Sequence, residues 1–267
     1  GDLPQALPKT PEAAAIQAAD SGPVAVVPKG LRSFSSHDSD FFLDLVPGPR
    51  NRQGIPDVIR LMKERIEARE SDDTFTVGCV YGPSGCGKSS LVKAGLLPRL
   101  EATVLAIFLE ASADDTESHL IGRLKAHFPD LPEDCSLTAA FTALRRGGVM
   151  PEGRKVLVII DQFEQWLQAK AADRDSDLAN ALRQCDGTHV QCFVMVRDDF
   201  WVAVNRFMRD LDIRLVERFN SAMIDLFDID HATKVLALFG RAYGRLPDDP
   251  RAMTREQRHF IQDAVAG

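Results

Sequence analysis

Continuous apolar runs alternate along the chain with segments whose apolar residues recur every three to four positions. The runs predict buried strands over 74–81, 103–109, 155–160, 190–196 and 223–227. The helical spacing predicts helices over 55–69, 89–97, 116–127, 137–146, 177–184, 199–209, 231–240 and 254–265. This alternation is typical of a mostly parallel α/β sheet that is covered by helices on both faces.

The composition divides the chain into three predicted regions. Residues 1–30 are rich in Pro and Ala, which indicates a linker, although 13–19 could form a short helix. Residues 31–228 form the core, on which Phe34, Phe41 and Phe42 are expected to pack. Residues 229–267 begin a truncated helical domain, so we expect a fragment of a longer protein.

Charge and cysteine usage narrow the function classes. The formal net charge of −7 over 267 residues makes nucleic acid an unlikely partner. The five cysteines contain no C-x-x-C pair and the histidines lack metal-ligand spacing, which favours reduced thiols and a cytoplasmic protein. No apolar run reaches the roughly 18 residues that a membrane span needs, so no membrane partner is expected.

The most specific motif lies between the first predicted strand and the helix over 89–97. It matches the phosphate-binding pattern G-x-x-x-x-G-K-[ST] in full and comprises, with the next serine, Gly82, Pro83, Ser84, Gly85, Cys86, Gly87, Lys88, Ser89 and Ser90. Its glycines let backbone N–H groups point at phosphate oxygens, and the helix start favours negative charge. Lys88 is expected to act catalytically on the β- and γ-phosphates, and the Ser89 hydroxyl to ligate Mg²⁺. The motif therefore predicts a site for ATP or ADP with Mg²⁺.

Acidic residues follow the third predicted strand. Asp161 comes directly after the apolar run 155–160, where a carboxylate would bind nucleotide-bound Mg²⁺, although Asp is also a common helix N-cap. Gln162 occupies the position at which many P-loop ATPases carry a catalytic Glu. Glu164 is therefore our candidate for the base that activates water, and its alternative role is in helix capping.

Arginines follow the fourth predicted strand. Arg197 ends this strand and could sense the γ-phosphate as a catalytic residue, or else form a structural ion pair with Asp198 or Asp199. Arg209, Arg214 and Arg218 come later; one of them could serve as an arginine finger, but solvated surface charge is the simpler interpretation.

With these residues, the sequence resembles the bacterial novel STAND NTPases, which are signalling ATPases related to the NACHT, NB-ARC and AAA+ proteins. The resemblance spans about residues 30–245 and rests on the segments 30–34, 40–42, 81–90, 161–166 and 196–200. It implies an ASCE-type P-loop core with strand order 5-1-4-3-2, which would put Arg197 near the γ-phosphate. It also implies a helical domain, a winged helix, and contacts to adenine near 48–55, where this chain departs from the family's aromatic-Gly-Arg-Glu segment.

The same resemblance implies a slowly hydrolysing ATPase that switches a larger protein in signal transduction. Fused effector or sensor domains and homo-oligomers formed on activation would be its partners. The alternatives are a scaffold that binds nucleotide without hydrolysis, a nucleic-acid-associated AAA+-like ATPase, and a metabolic phosphotransferase. The absence of N-K-x-D and L-S-G-G-Q disfavours a GTPase and an ABC-type ATPase.

Overall fold

The computed structural model describes residues 33–170 and 175–266, so the predicted linker 1–30 and the short helix 13–19 lie outside the described residues. The described chain builds one five-stranded sheet in which every strand pair is parallel. The strands are β1 (Val77–Gly82), β2 (Val104–Glu110), β3 (Lys155–Asp161), β4 (Val190–Arg197) and β5 (Ser221–Met223). Their order is β2-β3-β4-β1-β5, which confirms the predicted α/β fold and the order 5-1-4-3-2.

Helices connect the strands and cover both faces of the sheet. They are α1 (Ser39–Leu45), α2 (Asp57–Glu67), α3 (Lys88–Ser90, continuing as π-helix Leu91–Leu96 and 3₁₀-helix Leu97–Arg99), α4 (Thr116–His127), α5 (Leu137–Arg145), α6 (Glu164–Lys170), α7 (Asp177–Leu182), α8 (Trp201–Asp210), α9 (Ile229–Ala242) and α10 (Arg255–Ala266). Short 3₁₀ turns span Ser36–Asp38, Asp198–Phe200 and Pro250–Ala252.

Alternate residues of the strands face two separate hydrophobic layers. Val156, Val158 and Ile160 of β3 pack into the layer that is closed by α4 to α8. Leu157 and Ile159 face the opposite layer, which α1, α2 and α3 close. Because side chains alternate across a strand, a strand that is buried on both faces reads as a continuous apolar run, as β3 does from Val156 to Ile160.

The fifth strand lies earlier than predicted. The apolar run indicated 223–227, but β5 ends at Met223, which pairs with Tyr81. The phosphate-binding loop begins at Gly82, so β1 offers no further partner after the bond from the Ile224 N–H to the Tyr81 carbonyl. Residues 224–227, of which all but Asp225 are apolar, therefore leave the sheet and line a cavity beside that loop.

The sequence patterns missed two helices, α6 and the seven-residue α1. Helix α1 carries the predicted core residue Phe42, which is 7% exposed. Phe34 and Phe41 are partly buried and meet Phe239 of α9, with ring centroids 6.0 and 5.4 Å away. The expected packing of these phenylalanines on the core is therefore observed, and it extends to α9.

A buried lysine at the start of β3 links the sheet to the C-terminal end of α2. Lys155 is fully buried, and its ammonium group donates to the carbonyls of Ile66 (2.6 Å) and Ala68 (2.9 Å) at the end of α2. Burial lowers the pKa of Lys155 to about 8. These bonds satisfy carbonyls that a helix end otherwise leaves unpaired.

Candidate functional site

The glycine-rich loop follows β1 and leads directly into α3. Gly85 and Gly87 have φ of 80° and 94°, in the left-handed region that favours glycine. At Gly82 a Cβ atom would lie 1.8 Å from the Ile224 carbonyl oxygen, so only glycine fits there. The sequence thus encodes a tight curl of backbone at the carboxyl edge of the sheet.

The Lys88 side chain folds back over this loop. Its Nζ donates to the carbonyl oxygens of Gly82 (2.8 Å) and Pro83 (2.9 Å) and lies 3.7 Å from the Cys86 sulfur. The loop therefore holds a cation at its mouth mainly through backbone carbonyls, with the Cys86 sulfur nearby.

Ser89 and Asp161 meet at the edge of the sheet, as the sequence predicts for two ligands of one cation. Ser89 Oγ donates to Asp161 Oδ2 at 2.5 Å, and the Gln162 N–H donates to Asp161 Oδ1 at 2.8 Å. Asp161 is only 3% exposed. Burial raises the pKa of Asp161, and the hydrogen bond from Ser89 partly offsets that rise.

The turn after Asp161 directs one polar side chain to solvent and the next acidic side chain into the protein interior. Gln162 has φ of 53° and is exposed, whereas Glu164, the first residue of α6, is buried. Within the described residues, Glu164 Oε2 is buried without a hydrogen-bond partner. The Phe163 N–H donates to the Met195 carbonyl of β4, which anchors the turn to the sheet.

Arg197 lies beside the loop in the backbone register, because it pairs with Gly82 across β4 and β1. Its side chain makes a bidentate ion pair with Asp199, with Nε–Oδ1 and Nη2–Oδ2 distances of 3.1 and 2.5 Å. This is the structural ion pair that the sequence left open as the alternative to a phosphate sensor. Arg209, Arg214 and Arg218 are exposed.

A largely apolar cavity of about 220 Å³ adjoins the loop at Cys86 and Gly87. Leu45, Val46 and Pro47 form one wall, and the segment 223–227 forms another. A second cavity, of about 320 Å³, lies between α2 and β5 and shares only Val58 and Met223 with the first.

The segment 48–55, where the resemblance put the adenine contacts, does not line the cavity at the loop. Arg50 instead braces this segment by donating to the carbonyls of Leu43, Val46 and Gly54. The residues that precede the segment form the cavity wall.

Two long-range contacts near the loop were not anticipated from the sequence. Trp166 of α6 donates its indole N–H to Glu117 of α4 at 2.8 Å. His231 of α9 has Nε2 2.8 Å from the Leu45 carbonyl oxygen. These partners are 49 and 186 residues apart in the chain, and no local pattern signals such pairings.

A parallel sheet with β4 between β1 and β3, a complete phosphate loop after β1 and an aspartate at the end of β3 define an ASCE-type P-loop NTPase domain. The chain belongs to the Novel STAND NTPase 1 family, whose sequence profile matches residues 29–232. The resemblance seen in the sequence is thereby confirmed.

A solved structure shows the same fold at low sequence identity. The Walker-type ATPase of Pyrococcus abyssi has a TM-score of 0.52 and 16% identity, over 84% of this chain and 66% of that one. The ORC2 protein of Aeropyrum pernix, in its ADPNP-ADP complexes, has a TM-score of 0.49 and 18% identity, over 74% and 55%. This chain thus spans less than two thirds of either protein. No curated protein sequence matches it significantly.

Among the helices of 33–170 and 175–266, none has the length and apolar character that crossing a bilayer requires. The same residues contain no cluster of three or more His, Cys, Asp or Glu side chains that could hold a metal ion.

Proposed function

We propose that this chain binds ATP with Mg²⁺ at the phosphate loop and hydrolyses it slowly, as the switch domain of a larger STAND signalling protein. The observation that carries the proposal is the contact of Ser89 with Asp161 at the mouth of a complete phosphate loop. A hydroxyl and a carboxylate from separate elements, brought together beside Lys88, are the protein groups that a nucleotide-bound Mg²⁺ requires.

The loop supplies the phosphate contacts. Backbone N–H groups of the curl and of the first turn of α3 would donate to phosphate oxygens. The Lys88 ammonium would exchange the carbonyls of Gly82 and Pro83 for oxygens of the β- and γ-phosphates. Because carbonyl oxygens carry only partial charge, a polyphosphate is the stronger partner for this cation.

The residues at the edge of the sheet fit Mg²⁺. The facing oxygens of Ser89 and Asp161 are the hard ligands that this ion prefers, and it commonly takes one or two protein ligands together with phosphates and water. When bound, the ion would neutralise charge that develops on the phosphates during transfer. It would also stabilise the ionised form of Asp161, which burial disfavours.

Glu164 is the proposed base. It is buried near the end of the strand that carries Asp161, and its Oε2 atom makes no hydrogen bond within the described residues. A water molecule that attacks the γ-phosphate would give that oxygen its partner. Arg197 would contribute only after leaving Asp199, which makes it a candidate sensor of the bound triphosphate.

The cavity beside Cys86 and Gly87 is the proposed adenine site. Its apolar walls suit a flat base, and α9 lies next to it through the contact of His231 with Leu45. Nucleotide bound in this cavity would therefore change the packing of α9 against α1. We propose that this packing transmits the nucleotide state to fused domains and to a homo-oligomer formed on activation.

The test is a comparison of nucleotide binding and single-turnover hydrolysis in wild type, Lys88→Ala and Glu164→Gln. We expect Lys88→Ala to lose nucleotide binding, and Glu164→Gln to keep binding while hydrolysis falls at least about a hundredfold. The matched control is Glu152→Gln, which changes an exposed glutamate and leaves both activities intact. Nucleotide binding by a wild type that never hydrolyses would support the scaffold alternative instead.

A further inference from the structure

We infer that Glu117 of α4 and Trp166 of α6 form a positioning pair that fixes the orientation of the catalytic carboxylate Glu164. The inference rests on the proposed function, in which Glu164 activates water. Neither residue belongs to the phosphate loop or to the expected Mg²⁺ ligands.

The orientation of the Glu164 carboxylate depends in part on the position of the helix that carries it. Its Oε2 atom has no hydrogen-bond partner within the described residues, so no bond to that oxygen holds the carboxylate in place. The residue is also the first of α6. A small rotation of this helix would therefore move the carboxylate directly.

Trp166 is the residue that limits such a rotation. Its side chain is fully buried and stacks on Phe163, with ring centroids 5.2 Å apart and an interplanar angle of 10°. Phe207 of α8 packs against it in a T-shaped arrangement, with ring centroids 5.4 Å apart and an interplanar angle of 66°. These rings hold the plane of the indole, and the hydrogen bond to Glu117 Oε1 fixes its direction within that plane.

Glu117 is itself held by the segment that follows β2. The neighbouring Thr116 accepts from the Ser112 N–H and donates to the Ser112 carbonyl, which closes the first turn of α4. The Ala111 N–H donates to the Asp161 carbonyl at 2.8 Å. The same segment thus contacts the turn 161–166 at both ends, through Asp161 and through Trp166.

The hydrogen bond from the Trp166 indole to Glu117 is suited to positioning α6. The indole N–H is a donor only, and a carboxylate acceptor makes the bond charge-assisted and stronger than a neutral one. Groups held by such supporting contacts keep the sub-ångström geometry that proton transfer needs. If Glu117 is removed, the buried N–H loses its acceptor and α6 is free to reorient.

The experiment compares Glu117→Ala, Glu117→Gln and Trp166→Phe with wild type in steady-state hydrolysis and in ATP binding. We expect Glu117→Ala and Trp166→Phe to lower kcat about tenfold or more, with KM and Kd for ATP changed less than about threefold. Glu117→Gln keeps an acceptor oxygen and should restore most of kcat. Asp115→Asn, an exposed acid at the same helix end, is the matched control with wild-type kcat.

A structural readout accompanies the kinetics. The chain has only two tryptophans, so the indole ¹⁵N–¹H resonance of Trp166 can be assigned by its loss in Trp166→Phe. We expect this resonance to shift in Glu117→Ala and to stay near its wild-type position in Glu117→Gln.

The outcomes separate the two proposals. Wild-type kcat in both Glu117→Ala and Trp166→Phe would overturn the positioning role while leaving the proposed function intact. A Glu117→Gln variant as slow as Glu117→Ala would overturn it as well, because charge rather than the hydrogen bond would then matter. Absence of hydrolysis in wild type, or full kcat in Glu164→Gln, would overturn the proposed function and this inference with it.

Discussion

Asp161→Asn should stabilise the protein in the absence of ligand and weaken its response to Mg²⁺. The wild-type carboxylate is 3% exposed and accepts from Ser89 and from the Gln162 N–H. Asparagine has nearly the same shape, its amide oxygen can still accept from the Gln162 N–H, and its NH₂ group can donate to Ser89 Oγ. The substitution therefore removes a buried negative charge and keeps both contacts.

The expected gain is about 0.5–2 kcal/mol, the range typical of single stabilising substitutions. For a domain of this size, about 1 kcal/mol corresponds to roughly 2–4 °C in Tm. Wild type with ATP and Mg²⁺ at about 100 times Kd should gain about 2.7 kcal/mol, or roughly 5–10 °C. Part of this gain depends on Mg²⁺, and Asp161→Asn should lose most of that part.

The sign of the pH dependence provides a second check. The pKa of Asp161 is raised in the folded protein, so the folded protein binds the carboxyl proton more tightly than the unfolded chain does. The stability that this protonation gives the folded protein is lost as the pH rises through the folded-state pKa. The Tm difference between Asp161→Asn and wild type should therefore be largest near neutral pH and shrink as the pH falls toward about 4. Thermal unfolding monitored by circular dichroism measures both quantities. A ligand-free Asp161→Asn variant that melts several degrees below wild type would contradict the expectation that the buried charge of Asp161 destabilises the folded protein.

Three further predictions concern residues that support the site, namely Lys155, Gln162 and Phe239. In the window between the folded pKa of Lys155, about 8, and its usual 10.5, the unfolded chain holds a proton that the folded chain has released. The free energy of unfolding of wild type should thus rise with pH relative to Lys155→Met, as urea titrations can measure; parallel pH profiles would contradict this. Gln162→Val should cost about 1–3 kcal/mol and Gln162→Gly little, because φ is 53° there; equal melting temperatures would count against strain at this turn. Phe239→Ala should speed amide hydrogen exchange in α9 but not in β3, since its contacts with Phe34 and Phe41 hold α9 to the core; unchanged exchange in α9 would remove that role.

The strands and the phosphate loop could be predicted because their signals are local. Buried β3 is apolar at every position from Val156 to Ile160, and the loop requires glycine at fixed positions that the sequence displays. Asp161 could be paired with Ser89 because parallel strands end at the same edge of the sheet.

Other features depend on tertiary contacts that the sequence does not display. The end of β5 is set by where β1 gives way to the loop, and the acceptor of the Trp166 indole lies on another helix. Within Glu164–Lys170 only Trp166, Leu167 and Ala169 are apolar, too few to display a helical period. Likewise, the pairing of Arg197 with Asp199 was one of two choices that the strand-end position left open.

The central claim is that the loop binds adenine nucleotide through Lys88 and Mg²⁺. Calorimetric titration of wild type and Lys88→Ala with ATP, ADP and GTP, with and without Mg²⁺, tests it most directly. We expect saturable binding of ATP and ADP, with ATP binding strengthened by Mg²⁺. GTP should bind more weakly, and Lys88→Ala should abolish binding. Equal binding of ATP by wild type and Lys88→Ala, or no binding of any nucleotide by wild type, would contradict it.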